Sequence, residues 1–328
     1  MPLPLRFRLV LLLCLVSGSL TAQTVEVPGL TRFHFADLAT GREILVRTDD
    51  FVSRLSPFDR SARLKTDLPV DASRYLNFVW SHVREWGGDE PERLTDHLNA
   101  LAPRLAALTL DLPDTVFLVK TSGMEEGQAP YTRANAIVLP EPLFVGTDID
   151  LKKILLHELF HIWSRANPER REALYALIGF HYCGEIDLPE ILQPIKLTNP
   201  DAPVNAWSIS VTHEGDSLEV VPVLYANRPG YDMERGGEFF HYLTFALLAI
   251  EQGDSGAVYQ SVDGSPRLLG VNAVGGYFEQ VGRNTNYIIH PEEILADNFA
   301  LMVQGVTAVR TPELLTAMRR FFSAGDDR

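Results

Sequence analysis

The chain carries two histidines four residues apart with a glutamate between them, in the run His157-Glu158-Leu159-Phe160-His161. On an α-helix, positions i and i+4 lie one turn apart on the same face. Both imidazoles can then reach one Zn²⁺ ion, and the intervening glutamate points toward a water on that ion. The flanks predict a helix over Leu151–Ser164. Asp148 and Asp150 offer caps, an apolar run follows, and Asn167-Pro168 ends it. The same pentapeptide also arises by accident on ordinary buried helices, so a metal reading needs a further donor.

A catalytic zinc takes three protein ligands and keeps a position for water. Ser164 and Asn167 stand where a continued motif would place a glycine and a third histidine, which excludes a three-histidine site. The segment from Tyr287 to Ala300 offers a carboxylate instead. Pro291 suits a first helical position, and Glu292 and Glu293 favour the positive end of a helix. Glu293 and Asp297 are four apart and share a face. One can ligate while the other holds a ligand histidine by its second ring nitrogen. Glu292 competes with Glu293 as ligand, but its one-turn neighbour is Ala296, which can orient nothing. Acidic residues in a first helical turn are common without a metal, yet that explanation leaves Asp297 unaccounted for in an otherwise apolar helix.

HELFH followed far downstream by E-x-x-x-D resembles the gluzincin branch of the zinc metallopeptidases, which includes thermolysin-like and neprilysin-like enzymes. The resemblance covers two helices, roughly a tenth of the chain. It implies a zincin-like fold with one zinc ion per chain, bound by His157, His161 and Glu293. It also implies Glu158 as general base and Asp297 orienting a ligand histidine. The run Y-x-x-x-P-x-E, from Tyr287 to Glu293, is similar to small gluzincins in which a tyrosine shortly before the glutamate assists the reaction. Tyr287 is therefore the candidate donor to a developing oxyanion, or else a tyrosine packing at a helix entrance. His241, His290, Tyr277 and Arg235 read as structural or surface groups. On this resemblance the expected activity is hydrolysis of a peptide or protein substrate. The alternative is an inactive zinc-binding exported protein that uses its β-rich segment for binding; a scaffold that only holds metal has no need of Glu158.

These residues need elements to position them. Glu43–Arg47 reads as a short strand, and Ala72–Trp86 and Pro91–Leu108 as helices separated by Gly87-Gly88. Thr115–Lys120 and Ala134–Leu139 read as strands, the second expected along the cleft where a peptide could pair with its edge. A helix follows the metal helix at about Glu169–Phe180, and Pro189–Pro203 is loop-like. Trp207–Thr212 and Leu218–Ala226 read as strands, with Pro222 suggesting a sheet edge. Phe239–Ile250 and Leu268–Val274 suggest a further antiparallel pair, although Phe239–Ile250 also suits a helix. Helices return at Pro291–Val303 and Pro312–Phe322. The expected class is α+β, with a small mixed sheet ahead of the metal helix. Residues 23–110 form a mainly helical region, and residues 111–328 form the catalytic unit with a β-rich insertion at about 204–275. Gly253-Asp254-Ser255-Gly256 spells a serine-nucleophile pattern, but the chain offers no accompanying histidine context, and a turn is expected there.

Arg6 and Arg8, the apolar run Leu9–Val16 and Leu20-Thr21-Ala22 predict a secretory signal ending at residue 22 and a periplasmic or secreted protein. Cys14 lies in the core of that signal. Cleavage leaves 306 of the 328 residues, with Cys183 as the remaining cysteine, expected as a buried apolar group, so no intrachain disulfide forms. Removing the two arginines moves the formal charge from −14 to −16. That balance argues against nucleic acid or an anionic membrane as partner. No later segment reads as membrane-spanning, and the sequence leaves the oligomeric state open.

Overall fold

The computed structural model describes residues 24–146, 149–254 and 256–323. The expected export signal, Cys14 and Asp148 lie outside the described residues. Thr24–Val27 (β1) and Thr31–Phe35 (β2) form a hairpin. Four short helices follow: Leu38–Leu45 (α1), Asp50–Arg54 (α2), Pro57–Arg63 (α3) and Ala72–His82 (α4). Each begins where a short polar side chain, from Asp37, Asp49, Ser56 or Asp71, accepts a backbone N–H three residues on. That cap corrects the strand expected at Glu43–Arg47: most of the segment lies in α1, with Ile44 and Leu45 buried. Gly41 lets α1 approach the sheet, because a Cβ there would stand 3.0 Å from Val83 and 3.1 Å from Val119.

The helix expected to run to Trp86 stops at His82, because Val83–Arg84 (β3) pairs with the end of a strand. After Glu90–Leu105 (α5) come Thr115–Thr121 (β4), Tyr131–Arg133 (β5) and Ala136–Pro140 (β6). The first sheet runs β1-β2-β4-β6-β5, with β3 against β4. Its centre, β2, β4 and β6, is parallel and its edges are antiparallel. Strand β6 is buried throughout and flanked on both sides. The edge expected along Ala134–Leu139 therefore belongs to β5. Its outward Thr132 N–H already donates to Asp201 at 2.8 Å.

Helix Leu151–Ala166 (α6) starts at Asp150, whose side chain accepts from Lys153 N, and ends at Asn167. Pro168–Ala176 (α7) ends four residues before Phe180, and the chain then turns at Gly179, whose φ is 81°. Phe180–Tyr182 (β7), Trp207–His213 (β8), Asp216–Ala226 (β9), Leu243–Gly253 (β10) and Gly256–Tyr259 (β11) form a second, antiparallel sheet in the order β11-β10-β9-β8-β7. Of Phe239–Ile250, the first four residues are a 3₁₀ turn and the rest is strand. Pro222 lies in β9 opposite Leu247 of β10, beyond Ile209↔Val220, where pairing with β8 ends. The strand is central for its first half and an edge at the proline. Gly253 and Gly256 face each other across a hairpin turn. A small hairpin, Ser261–Val262 (β12) and Ser265–Pro266 (β13), precedes Leu268–Leu269 (β14), which pairs with β10. Tyr277–Val281 (α8), Pro291–Gln304 (α9) and Pro312–Ser323 (α10) complete an α+β fold. Among the described residues no helix is long and apolar enough to cross a membrane.

One apolar cluster joins the two sheets through α6. Leu118 and Ile137 of the first sheet, Phe160 and Trp163 of α6, Val220 and Leu247 of the second sheet and Phe299 of α9 all belong to it. Helix α6 is thus held on nearly every side, which fixes the direction of its polar residues.

A buried polar network lies beside this core. Arg63 makes a two-pronged contact with Glu126, both bonds 2.8 Å, and reaches Asp59 at 2.7 Å. Neighbouring Glu125 has one carboxyl oxygen without a partner, and burial pushes its pKa up to about 7 from 4.5. The folded state therefore holds this proton more tightly than the unfolded chain. The resulting stability is complete below pH ~4.5 and is lost as pH rises through ~7. Glu125→Gln should match the wild type near pH 4.5 and exceed it by about 3 kcal/mol at pH 8, measured by urea unfolding at both pH values. An unchanged pH dependence would contradict this account.

Candidate metal centre

Helices α6 and α9 cross so that three side chains converge. His157 Nε2 lies 3.1 Å from Glu293 Oε2, and His161 Nε2 lies 3.6 Å from the same oxygen. Together they form a group able to hold a metal ion. Ligands held at ~2.0–2.1 Å by a tetrahedral ion stand about 3.3–3.4 Å from one another, so both separations sit close to that edge. The donors are two imidazoles and one carboxylate, a set that suits zinc and other first-row divalent ions. His161 Nε2 is buried and has no hydrogen-bond partner, a costly condition that a bound cation would relieve.

Each histidine is gripped from behind. His157 Nδ1 meets Asp297 Oδ1 at 3.2 Å, and Thr285 and Lys153 also hold that carboxylate. His161 Nδ1 meets Glu292 Oε1 at 2.8 Å. The other Glu292 oxygen accepts from Ser164, at 2.7 Å, and from Tyr175. Glu292, weighed in the sequence as a rival ligand, faces the back of the second histidine instead. Its partner is one turn away on a different helix, which a search along its own helix could not find. Such outer carboxylates fix the ring orientation and leave each Nε2 facing the space the three donors share.

The electrostatics agree with a cation site. Burial works against charge on His157, yet its bonds to Asp297 and Glu293 raise its pKa to about 9. Burial likewise opposes charge on Glu293, but His161 and His157 hold its carboxyl well below the ordinary range. Asp297, held by His157 and Thr285 against the cost of burial, falls to about 2. Groups that draw protons onto these rings also draw a metal ion, with which protons compete.

Glu158 faces the same space. It is 4% exposed, and its Oε2 has no partner. Burial first, and the charge of Asp201 second, push its pKa up to about 8. Tyr287 stacks on the His157 ring with centroids 6.2 Å apart and remains 41% exposed. The site thus meets solvent on the Tyr287 side.

The loop before β8 adds two residues that the sequence did not single out. Asn199 Nδ2 donates to Glu293 Oε1 at 2.6 Å, fixing the carboxylate oxygen that the histidines leave. Asp201 forms a further group with Glu158 and His161. The loop is tied down at Thr198, whose N–H and hydroxyl both donate to Asp59 while Arg63 donates to its carbonyl. Helix α3 therefore anchors a loop that reaches the centre, and only the clustering of polar residues among prolines hinted at it.

Comparisons with protein-family models, curated proteins and solved structures return no match.

Glu293→Ala should bring metal content after dialysis from about one equivalent to near zero. Asp297→Ala should keep the site but weaken it by about 10- to 100-fold in chelator competition. Full retention of the metal by Glu293→Ala would remove that residue from the ligand set.

Proposed function

We propose that the chain is a zinc-dependent metallopeptidase with a zincin-like arrangement of the gluzincin type. The observation that carries this reading is Glu158, a buried carboxylate with an unpartnered oxygen beside a three-donor metal group. Metal retention alone gives no reason to keep a buried carboxyl group with an unpartnered oxygen there. When bound by His157, His161 and Glu293, zinc supplies Lewis acidity, which acidifies water and polarises a carbonyl.

The protein's own side chains supply the rest. Glu158, the carboxyl group facing this space, takes the proton of the attacking water and returns it to the departing amine of the peptide. Asp297 and Glu292 keep both imidazoles in the tautomer that presents Nε2 to the ion. Tyr287, stacked on His157, is the candidate donor to the oxygen that gains charge on the attacked carbonyl. Asn199 keeps Glu293 from rotating. The low dielectric around Glu158 and His161 strengthens each of these interactions. With the sequence's export signal, the reading is of an enzyme acting on peptides or proteins outside the cytoplasm.

Glu158→Gln should retain about one zinc per chain while cleavage of a peptide library falls by roughly 10²- to 10⁴-fold. Metal analysis and mass spectrometry of the digests measure the two quantities on one preparation. A zinc-loaded wild type that cleaves nothing would overturn the peptidase reading and leave a metal-binding protein.

A further inference from the structure

A cavity of about 370 Å³ adjoins the metal centre, sharing Asp201 and Glu292 with it. The volume lies in the range of ligand sites. Its walls carry charge of both signs, and most of it is already matched. Asp49 is paired with Arg133 at 2.6 Å, and Asp50 with Arg54 at 2.8 Å. Asp201 accepts from Thr132 and faces Arg165 at 3.9 Å. Glu292 is bonded to His161, Ser164 and Tyr175.

Arg171 is the exception. Among the described residues no carboxylate lies within 4.0 Å of its guanidinium, and its Nε is buried without a partner. The ring of Trp207 lies 5.7 Å from its Cζ. A second orphan lines the same cavity. His290 Nδ1 accepts from Glu292 N at 3.1 Å, so the hydrogen of the neutral ring sits on Nε2. That Nε2 is buried, in a residue 7% exposed, and has no acceptor. Two buried donors without acceptors in one cavity are costly. An anion that accepts more than one hydrogen bond would satisfy both donors and match the unpaired charge. A carboxylate does this, and the planar guanidinium fork fits it.

We infer that this cavity is a carboxylate-recognition site beside the metal centre, with Arg171 and His290 as its donors. On the reading that the substrate is a peptide, the ligand is a free C-terminal carboxylate or the side chain of an Asp or Glu residue near the cleaved bond. The site would then set substrate class: peptides with a carboxylate at a fixed distance on one side of the metal.

The test is binding, so its outcome does not depend on cleavage. Three peptides of one neutral sequence are titrated into zinc-loaded Glu158→Gln protein by calorimetry: a free C-terminus, an amidated C-terminus, and an amidated form ending in Glu. One or both carboxylate forms should bind about 10- to 100-fold more tightly than the neutral amide. Which one does so identifies the source of the carboxylate. In the Arg171→Met background the preference should fall below about threefold. Equal binding of all three peptides overturns the inference even if Arg171→Met fails to fold, and so does a preference that survives the substitution. A chain that binds the carboxylate peptides yet cleaves none leaves this inference standing and removes only the peptidase reading.

Discussion

Glu293 is a carboxylate taken out of water and placed against two imidazole nitrogens, and the surrounding structure is organised around that placement. A buried charge is tolerated when it is paired and its remaining lone pairs are used. One Glu293 oxygen faces His157 and His161, and the other accepts from Asn199. The imidazoles need partners of their own, which Asp297 and Glu292 provide. Those carboxylates recruit Thr285, Lys153, Ser164 and Tyr175 in turn. Three carboxylates thus converge on two imidazoles. A dication at the centre brings that arrangement close to balance.

The N-terminal helices contribute through the loop rather than through the metal. Arg63, Asp59 and Glu126 form a fully buried charge network whose spare hydrogen-bonding capacity is spent on Thr198. Asn199 follows immediately in the chain, so the same network that joins α3 to the turn between β4 and β5 also sets the reach of the loop. Removing one member of such a network leaves an uncompensated buried charge, and here the disturbance would pass directly to Glu293. The residues before the metal helix are therefore tied to the centre through that loop: β1 and β2 belong to the sheet that precedes α6, and α3 holds the loop.

What could be read from the sequence was whatever depends on one helical period. His157 with His161, and Glu293 with Asp297, are i,i+4 pairs, and the structure brings them together as that spacing implies. Asp150 as cap and Pro291 as first helical residue were legible for the same local reason. What failed to show depends on tertiary neighbours. Glu292 finds its partner on another helix, and Asn199 and Asp201 reach the site from a loop without periodicity. Ile44 and Leu45 look like strand residues until the Asp37 cap and the close approach of Gly41 are counted. Ala136–Pro140 reads equally well as edge or interior, since pairing partners leave little mark on a short apolar run. Pro222 signalled an edge correctly only for the half of β9 that β8 does not cover.

The central claim is that two helices distant in sequence present His157, His161 and Glu293 to one zinc ion. Anomalous diffraction at the zinc edge from crystals of the zinc-loaded protein tests it most directly. The account predicts one strong peak per chain, about 2.0–2.2 Å from His157 Nε2, His161 Nε2 and a Glu293 carboxylate oxygen. A peak placed instead among Glu158, His161 and Asp201, or no peak between α6 and α9, would contradict it.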